Sequence, residues 1–175
     1  RGRELNGLTL GIIGFGRIGS NLAKYAKAFY MNVLAYDPYV KISNPVVQQC
    51  DSLHDLLPES DVVAVCVHLN EETKGMINAS MFQQMKDGVY FINTSRGDVV
   101  NERDLIYYLE TGKIQSAGVD VISDEFTGDK NKHPLIQHAR KNNNLIITPH
   151  IAGLTYDSER KAQTAAYEAI RKILD

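Results

Sequence analysis

Three side chains of different chemistry follow apolar runs at well-separated points of this sequence. They are Arg96 in "INTSRGDVV", Glu125 in "GVDVISDE" and His150 in "IITPHIAG". An imidazole exchanges protons near neutral pH, and a carboxylate placed beside one favours its charged form. A guanidinium can hold a carboxylate through two parallel hydrogen bonds. Together they form the set that hydride transfer at the carbon of a hydroxy acid would require. Arg96 would anchor the acid, His150 would move the hydroxyl proton, and Glu125 would support the imidazolium. Each also has a plainer reading. Arg96 could be a surface ion-pair partner, Glu125 a solvated loop charge beside Asp124 and Asp129, and His150 a strand-end histidine bonded to backbone.

What unites the three is the kind of element that precedes each. Apolar, β-branched runs alternate with stretches of helical periodicity along the chain, the pattern of βαβ units around a parallel sheet. Strands are expected at 8–13, 32–37, 61–67, 88–94, 114–122 and 144–150, with a weaker one at 46–50. In a parallel sheet the carboxyl ends of the strands share one edge, where ligands bind. That edge is where Arg96, Glu125 and His150 would emerge. Pro149 restricts Thr148 to extended backbone and so sets where His150 leaves the strand. Helices are expected at 17–30, with Ile18, Leu22, Tyr25 and Phe29 at helical spacing, after Asn78 as N-cap, and from Asn101 to a stop at Gly112. A last helix at 156–175 would group Ala162, Ala165, Ala166, Ala169 and Ile170 on or near one face. The polar stretch 123–134 reads as a functional loop within one domain.

"GIIGFGRIG" at 11–19 would supply a cofactor site on the same edge. Gly14 permits a tight turn, Gly16 lets backbone approach phosphate oxygens, and Gly19 allows close packing of helix on strand. The free N–H groups at the helix start then face an anion. The pattern is common by itself, so the acid expected some 20 residues on is the useful check. Asp37 stands 23 positions after Gly14, at the end of the second expected strand. Its carboxylate would accept from ribose hydroxyls and repel a 2′-phosphate, which favours NAD over NADP. The alternative is an Asp that caps the turn before Pro38.

The totals narrow the class. A chain of 175 residues with 43% hydrophobic side chains suits one well-buried domain. A net charge of -2 and a pI near 6.2 speak against nucleic-acid binding. No apolar run approaches the roughly 18 residues of a membrane span, and no signal segment opens the chain. It begins at Arg1 rather than Met, so an excised piece or a processed product is expected. Cys50 and Cys66 form no metal-ligand pattern, and no metal is expected; they read as small hydrophobes of a reduced, cytoplasmic protein.

"ELNGLTLGIIGFGRIG", "INTSRGDVVNERDL", "AGVDVISDE" and "TPHIAG" together resemble the NAD-binding domain of the D-isomer-specific 2-hydroxyacid dehydrogenases, the phosphoglycerate dehydrogenase-like family. The resemblance runs through essentially the whole chain in order. It implies a doubly wound α/β domain of Rossmann type spanning 1–175, with helices on both faces of the sheet. By motif, Arg96 would bind the substrate carboxylate, His150 would donate the proton and Glu125 would pair with it. Arg17 and Ile18 would join Gly14, Gly16 and Gly19 at the pyrophosphate, with Asp37 at the ribose. Thr94, Ser95 and Arg96 would line the nicotinamide riboside, Asp120 would hold the carboxamide, and His150, Ile151, Ala152 and Gly153 would lie close to the nicotinamide. The resemblance also implies a small 2-hydroxy or 2-keto acid substrate and a homodimer formed through this domain.

Two positions depart from the family pattern. Phe126 follows Glu125 where proline is usual, and His68 stands where proline is common. His68 is read as a loop residue near the cofactor. His54, His133 and His138 are read as lying on or near helix surfaces, without a role. Family members close a cleft against a second, substrate-binding domain that this sequence lacks, so the chain alone is expected to bind NAD and turn over slowly or not at all. Two further readings use the same scaffold: an NAD-responsive regulatory or corepressor-like protein, and another NAD enzyme such as an adenosylhomocysteinase. The Arg96, Glu125 and His150 set speaks against both.

Overall fold

The computed structural model describes residues 2–127 and 129–174; Arg1, Gly128 of the polar stretch and Asp175, which the sequence assigns to the expected helix 156–175, lie outside the described residues. Seven parallel strands form one sheet: β1 (Thr9–Ile13), β2 (Asn32–Tyr36), β3 (Gln48–Gln49), β4 (Val62–Val65), β5 (Val89–Asn93), β6 (Ile114–Val119) and β7 (Leu145–Ile147). Their order is β3-β2-β1-β4-β5-β6-β7. The chain therefore winds outward from β1 to β3, crosses back, and winds outward again from β4 to β7. The reversal falls between β1 and β4, the switch point at which doubly wound sheets open a crevice for ligands.

Side-chain alternation explains why β1 beyond Thr9, and all of β4, are apolar. Ile12, Val62 and Ala64 enter one core with Leu10, Ala23, Ala26 and Val33, whereas Ile13, Val63 and Val65 enter the other with Leu56, Phe82, Phe91 and Leu105. Helix α1 (Arg17–Ala28) covers the first face; α2 (Leu53–Leu56), α3 (Ala79–Gln84), α4 (Glu102–Glu110) and α5 (Pro134–Lys141) lie with the second. The strands are all present but shorter than expected. The tails of the sixth and seventh runs, 120–122 and 148–150, leave the ladder to build the site.

Three expectations about the helices need correction. In α1 the buried residues are Gly19, Ala23 and Ala26, while Ile18, Tyr25 and Phe29 are exposed. The glycine turn brings this helix too close to the sheet for a large side chain, so its small residues face the core. Helix α5 starts inside what reads as a polar loop, with Pro134 at its first position and Leu135 and His138 buried. His138 is thus a core residue, 6% exposed, with Nε2 3.0 Å from Asn144 Oδ1. Helix α6 (Tyr156–Leu174) buries none of its residues, so its alanine-rich face adds nothing to this core. The expected caps do form: Asn78 accepts from the Ser80 amide, and Asn101 from those of Arg103 and Asp104.

Candidate functional site

The turn after β1 meets each demand of an anion-binding helix start. Gly14 adopts φ +92°, and a Cβ there would lie 2.7 Å from the Cys66 carbonyl oxygen. A Cβ on Gly19 would lie 2.2 Å from the Gly14 carbonyl oxygen. Gly16 has an ordinary φ of -76° and open space where its Cβ would be. Gly16 is also the N-cap of α1; no side chain caps this end and no acid stands in its first turn. Exposed Arg17 and Ile18 follow at the rim. An uncapped helix start behind an open glycine fits a pyrophosphate, with the helix dipole favouring its charge.

Asp37 leaves the end of β2 beside this turn. Its Oδ2 accepts from the Phe15 amide at 2.8 Å, and its Oδ1 accepts from the amides of Tyr39 and Val40 at 2.9 and 3.2 Å. The turn-capping alternative is therefore realised, and the same carboxylate braces the glycine turn. A carboxylate has about four acceptor positions, which leaves one for a ribose hydroxyl. Nearby, burial pushes the Cys66 thiol up to about 11, in keeping with an inert apolar neighbour of the turn. His68 lies in the loop beyond β4, and its carbonyl accepts from the Thr73 hydroxyl.

The segments after β5, β6 and β7 converge on the same edge. Past β5, Thr94 and Arg96 are exposed, while Ser95 is buried with its hydroxyl on Asn93 Oδ1 at 2.7 Å. The Ser95 amide donates to the same Asn93 Oδ1 at 3.0 Å, so this residue shapes the turn from within. Arg96 Nη1 donates to the Ser95 carbonyl at 2.7 Å, which folds the guanidinium back along its own segment. Past β6, Asp120 is buried and fastens the segment after β7. It accepts from Thr148 Oγ1 at 2.5 Å, the Ile151 amide at 3.0 Å and the Ala152 amide at 2.9 Å. Burial works to raise the Asp120 carboxyl, but these bonds and the nearby His150 outweigh it and hold it below the usual carboxylate range. Gly153 follows, exposed, before α6.

His150 sits in this fastened segment with φ +53°, a conformation uncommon for a residue with a side chain. Its amide donates to the carbonyls of Asp120 and Thr148 at 2.9 and 3.0 Å. The ring Nδ1 lies 2.8 Å from Glu125 Oε1, which leaves Nε2 as the nitrogen turned away from the carboxylate. The two residues, 25 positions apart, thus meet as the strand-edge argument expects. Arg96, Glu125, His150, Leu69 and Phe126 line one cavity of about 470 Å³. Phe126 is 88% exposed, its ring centroid 6.4 Å from that of His150.

Two contributors escape a reading of the sequence. Gly97 has no room for a side chain, since a Cβ there would lie 2.1 Å from the Ile122 carbonyl carbon. The segment carrying Arg96 is thereby pressed against the root of the loop carrying Glu125. Glu102 and His133 meet at the same root, Oε2 to Nε2 at 3.3 Å. The glycine directly after Arg96 was a visible signal for the first. Nothing in the sequence pairs the second couple.

A nucleotide turn at the switch point of a doubly wound sheet, with an acid at the end of β2, defines a dinucleotide-binding domain. The family model described as "D-isomer specific 2-hydroxyacid dehydrogenase, NAD binding domain" matches residues 1–152, and the chain belongs to that family. It is 38% identical to a hydroxypyruvate reductase of Thermotoga maritima, over 99% of this chain and 55% of the relative. It is 40% identical to a D-3-phosphoglycerate dehydrogenase of Archaeoglobus fulgidus, over 90% of this chain and 29% of that protein. A D-lactate dehydrogenase of Aquifex aeolicus, solved with NAD and lactic acid, superposes with a TM-score of 0.86 and 39% identity, covering 98% of this chain and 55% of that one. The chain thus spans about half the length of the hydroxypyruvate reductase and of the D-lactate dehydrogenase, and its cofactor is NAD. The comparisons give the regulatory reading no support. Among the described residues no helix is long and apolar enough to cross a membrane.

Proposed function

We propose that this chain is the coenzyme half of an NAD-dependent D-2-hydroxyacid dehydrogenase acting on a small 2-hydroxy or 2-keto acid. The observation that carries this is the 2.8 Å pair of His150 Nδ1 and Glu125 Oε1 in a cavity shared with Arg96. The bound nicotinamide supplies or accepts the hydride. In the reducing direction Arg96 pairs with the substrate carboxylate, and His150 donates the proton from Nε2 to the carbonyl oxygen. Glu125 holds the ring by Nδ1 and balances its charge. In the oxidising direction His150 takes the hydroxyl proton back. The test is a screen of 2-keto acids with NADH, using the whole protein and chiral analysis of the product. D-specific reduction is expected, and tight NADH binding with no keto acid reduced would overturn the proposal.

On the cofactor side, Gly14, Gly16, Arg17, Ile18 and Gly19 serve the pyrophosphate and Asp37 the ribose. Thr94, Ser95, Arg96 and the run Ile151–Gly153 serve the nicotinamide end. The Asp120 carboxylate, already holding that run, has one acceptor position left for the carboxamide. Asp37→Ser is expected to weaken NADH binding about tenfold, the loss of one charge-assisted hydrogen bond, while NADPH binding improves. Fluorescence titration of both nucleotides measures this; an unchanged NADH-to-NADPH ratio would remove Asp37 from the ribose site.

The remainder of such an enzyme has surfaces here to pack against. On the α1 face of the sheet, Ile92 and Ile146 are exposed, and α6 presents Tyr167, Ile170, Ile173 and Leu174 to solvent. A second domain closing on the edge of Arg96 and His150 would complete the pocket and exclude water from it. The stripe of Ile18, Tyr25 and Phe29 along α1 supports a homodimer formed through this domain. Light scattering is expected to give a dimer mass that falls to a monomer mass for Phe29→Glu; a monomer throughout counts against it. A cytoplasmic setting follows from the same reading, with Cys50 and Cys66 free.

A further inference from the structure

The loop that carries Glu125 is tied at its root by a second His–Glu couple. Glu102, the first residue of α4, accepts from the Ser123 amide through Oε1 at 2.7 Å. Its Oε2 lies 3.3 Å from His133 Nε2, and the same ring nitrogen lies 3.1 Å from the Ser123 carbonyl oxygen. Ser123 opens the loop two residues before Glu125, and His133 ends it as the N-cap of α5. Both ends of the loop are thus knotted to the start of one helix. The side chains of Glu102 and His133 are each 12% exposed.

Hydrogen-bond accounting fixes the form of the knot. His133 Nε2 faces two acceptors, so it carries the proton. The other ring nitrogen, Nδ1, is buried without a hydrogen-bond partner. A histidine kept in that position with one orphaned nitrogen, where most buried polar atoms are satisfied, is held by what its other nitrogen does. Gly97 presses against Ile122 and Ser123 at the same place, so the segment bearing Arg96 shares the anchor. Beyond Ser123 the loop is braced from within, by the Thr127 amide and Lys130 Nζ on the Asp124 carbonyl oxygen. That brace fixes the loop to itself. Glu102 and His133 fix it to the domain.

We infer that Glu102 and His133 are positioning residues that hold Glu125 against His150. The inference rests on the function proposed above for its consequence in turnover, but the placement can be read without it. In this chain, long-range 1H–15N correlation spectra report the Nδ1 environment of His150, assigned by its loss in His150→Asn. Glu125→Gln is expected to displace that signal. Glu102→Ala and His133→Ala are expected to displace it in the same direction, with NADH affinity kept within about twofold, because Asp37 and the glycine turn lie at other strand ends. His133→Gln keeps an N–H donor toward Ser123 and is expected to return the signal most of the way. Where the alanine variants do not fold, Glu102→Gln takes their place, with a partial displacement expected because one acceptor remains.

In the whole protein the same variants are expected to lower kcat about ten- to a hundredfold, the scale of a misplaced supporting group, with KM for NADH little changed. A His150 signal left at its native position in the Glu102 and His133 variants overturns the inference, whatever happens to turnover. Full turnover in Glu125→Gln would instead overturn the proposed function, and the spectra would still decide whether the knot holds Glu125.

Discussion

Replacing His150 by asparagine in the whole protein is expected to cut keto-acid reduction by on the order of a thousandfold, the usual worth of a general acid, while NADH binds as before. Asparagine is the sharper choice because of the backbone. His150 sits at φ +53°, where alanine would be strained by about 1 kcal/mol and asparagine is among the residues that tolerate it. An asparagine amide can still donate toward Glu125, in the place of Nδ1. What it lacks is a titrating nitrogen where Nε2 stands. A loss of turnover therefore reports the missing proton donor and not a collapsed segment, and an unchanged melting temperature checks that. The Asp120 clamp on Thr148, Ile151 and Ala152 is untouched by the exchange. Reduction within tenfold of the native rate would take His150 out of the mechanism and leave the Glu125 pair as a structural contact.

How much of this was legible beforehand depended on whether a feature is local. The sheet edge was, because each strand is a short apolar run and parallel strands must end together. Arg96, Glu125 and His150 could be assigned to one edge without knowing any distance. The face of α1 was not. Periodicity marks large apolar residues as core, but here the backbone approach demanded by Gly14 and Gly19 puts Ala23 and Ala26 inward and turns Tyr25 and Phe29 to solvent. Helix α5 was hidden because the polar residues of 123–133 outweigh the short apolar pattern of Leu135, Ile136 and Ala139. His138 escapes for another reason: its partners Asn142 and Asn144, the latter opening the expected strand 144–150, are polar, and nothing local ties either to this ring. The Glu102–His133 knot joins side chains 31 positions apart, and no periodicity links them. Local rules find strands and turns. They do not find which loops are fastened to which helices.

The three glycines of the turn are expected to separate when each is changed to alanine, because each is required for a different reason. At Gly14 the strain is twofold: φ is +92°, and the new methyl would sit 2.7 Å from the carbonyl oxygen of Cys66. At Gly19 the conformation is ordinary helix, but the methyl would lie 2.2 Å from the Gly14 carbonyl oxygen, so α1 must lift from β1. Both obstacles are backbone and cannot rotate aside. A loss of about 1–3 kcal/mol is expected for each, as for other overpacked sites, which for a domain of this size lowers Tm by several degrees, about 2–4 °C per kcal/mol. NADH binding should fall with it. Gly16 is the informative case. Its φ is -76° and nothing lies within 4 Å of the new methyl, so Gly16→Ala is expected to melt at or slightly above the native temperature. The open space beside it is where backbone must approach the pyrophosphate, and the methyl would occupy it. NADH affinity is therefore expected to drop on the order of a hundredfold, about 2.8 kcal/mol, with stability intact. Thermal melts and NADH titrations of the three variants measure the split. If Gly16→Ala binds NADH as the native chain does, the pyrophosphate does not pass over this turn, and the start of α1 must be given another role.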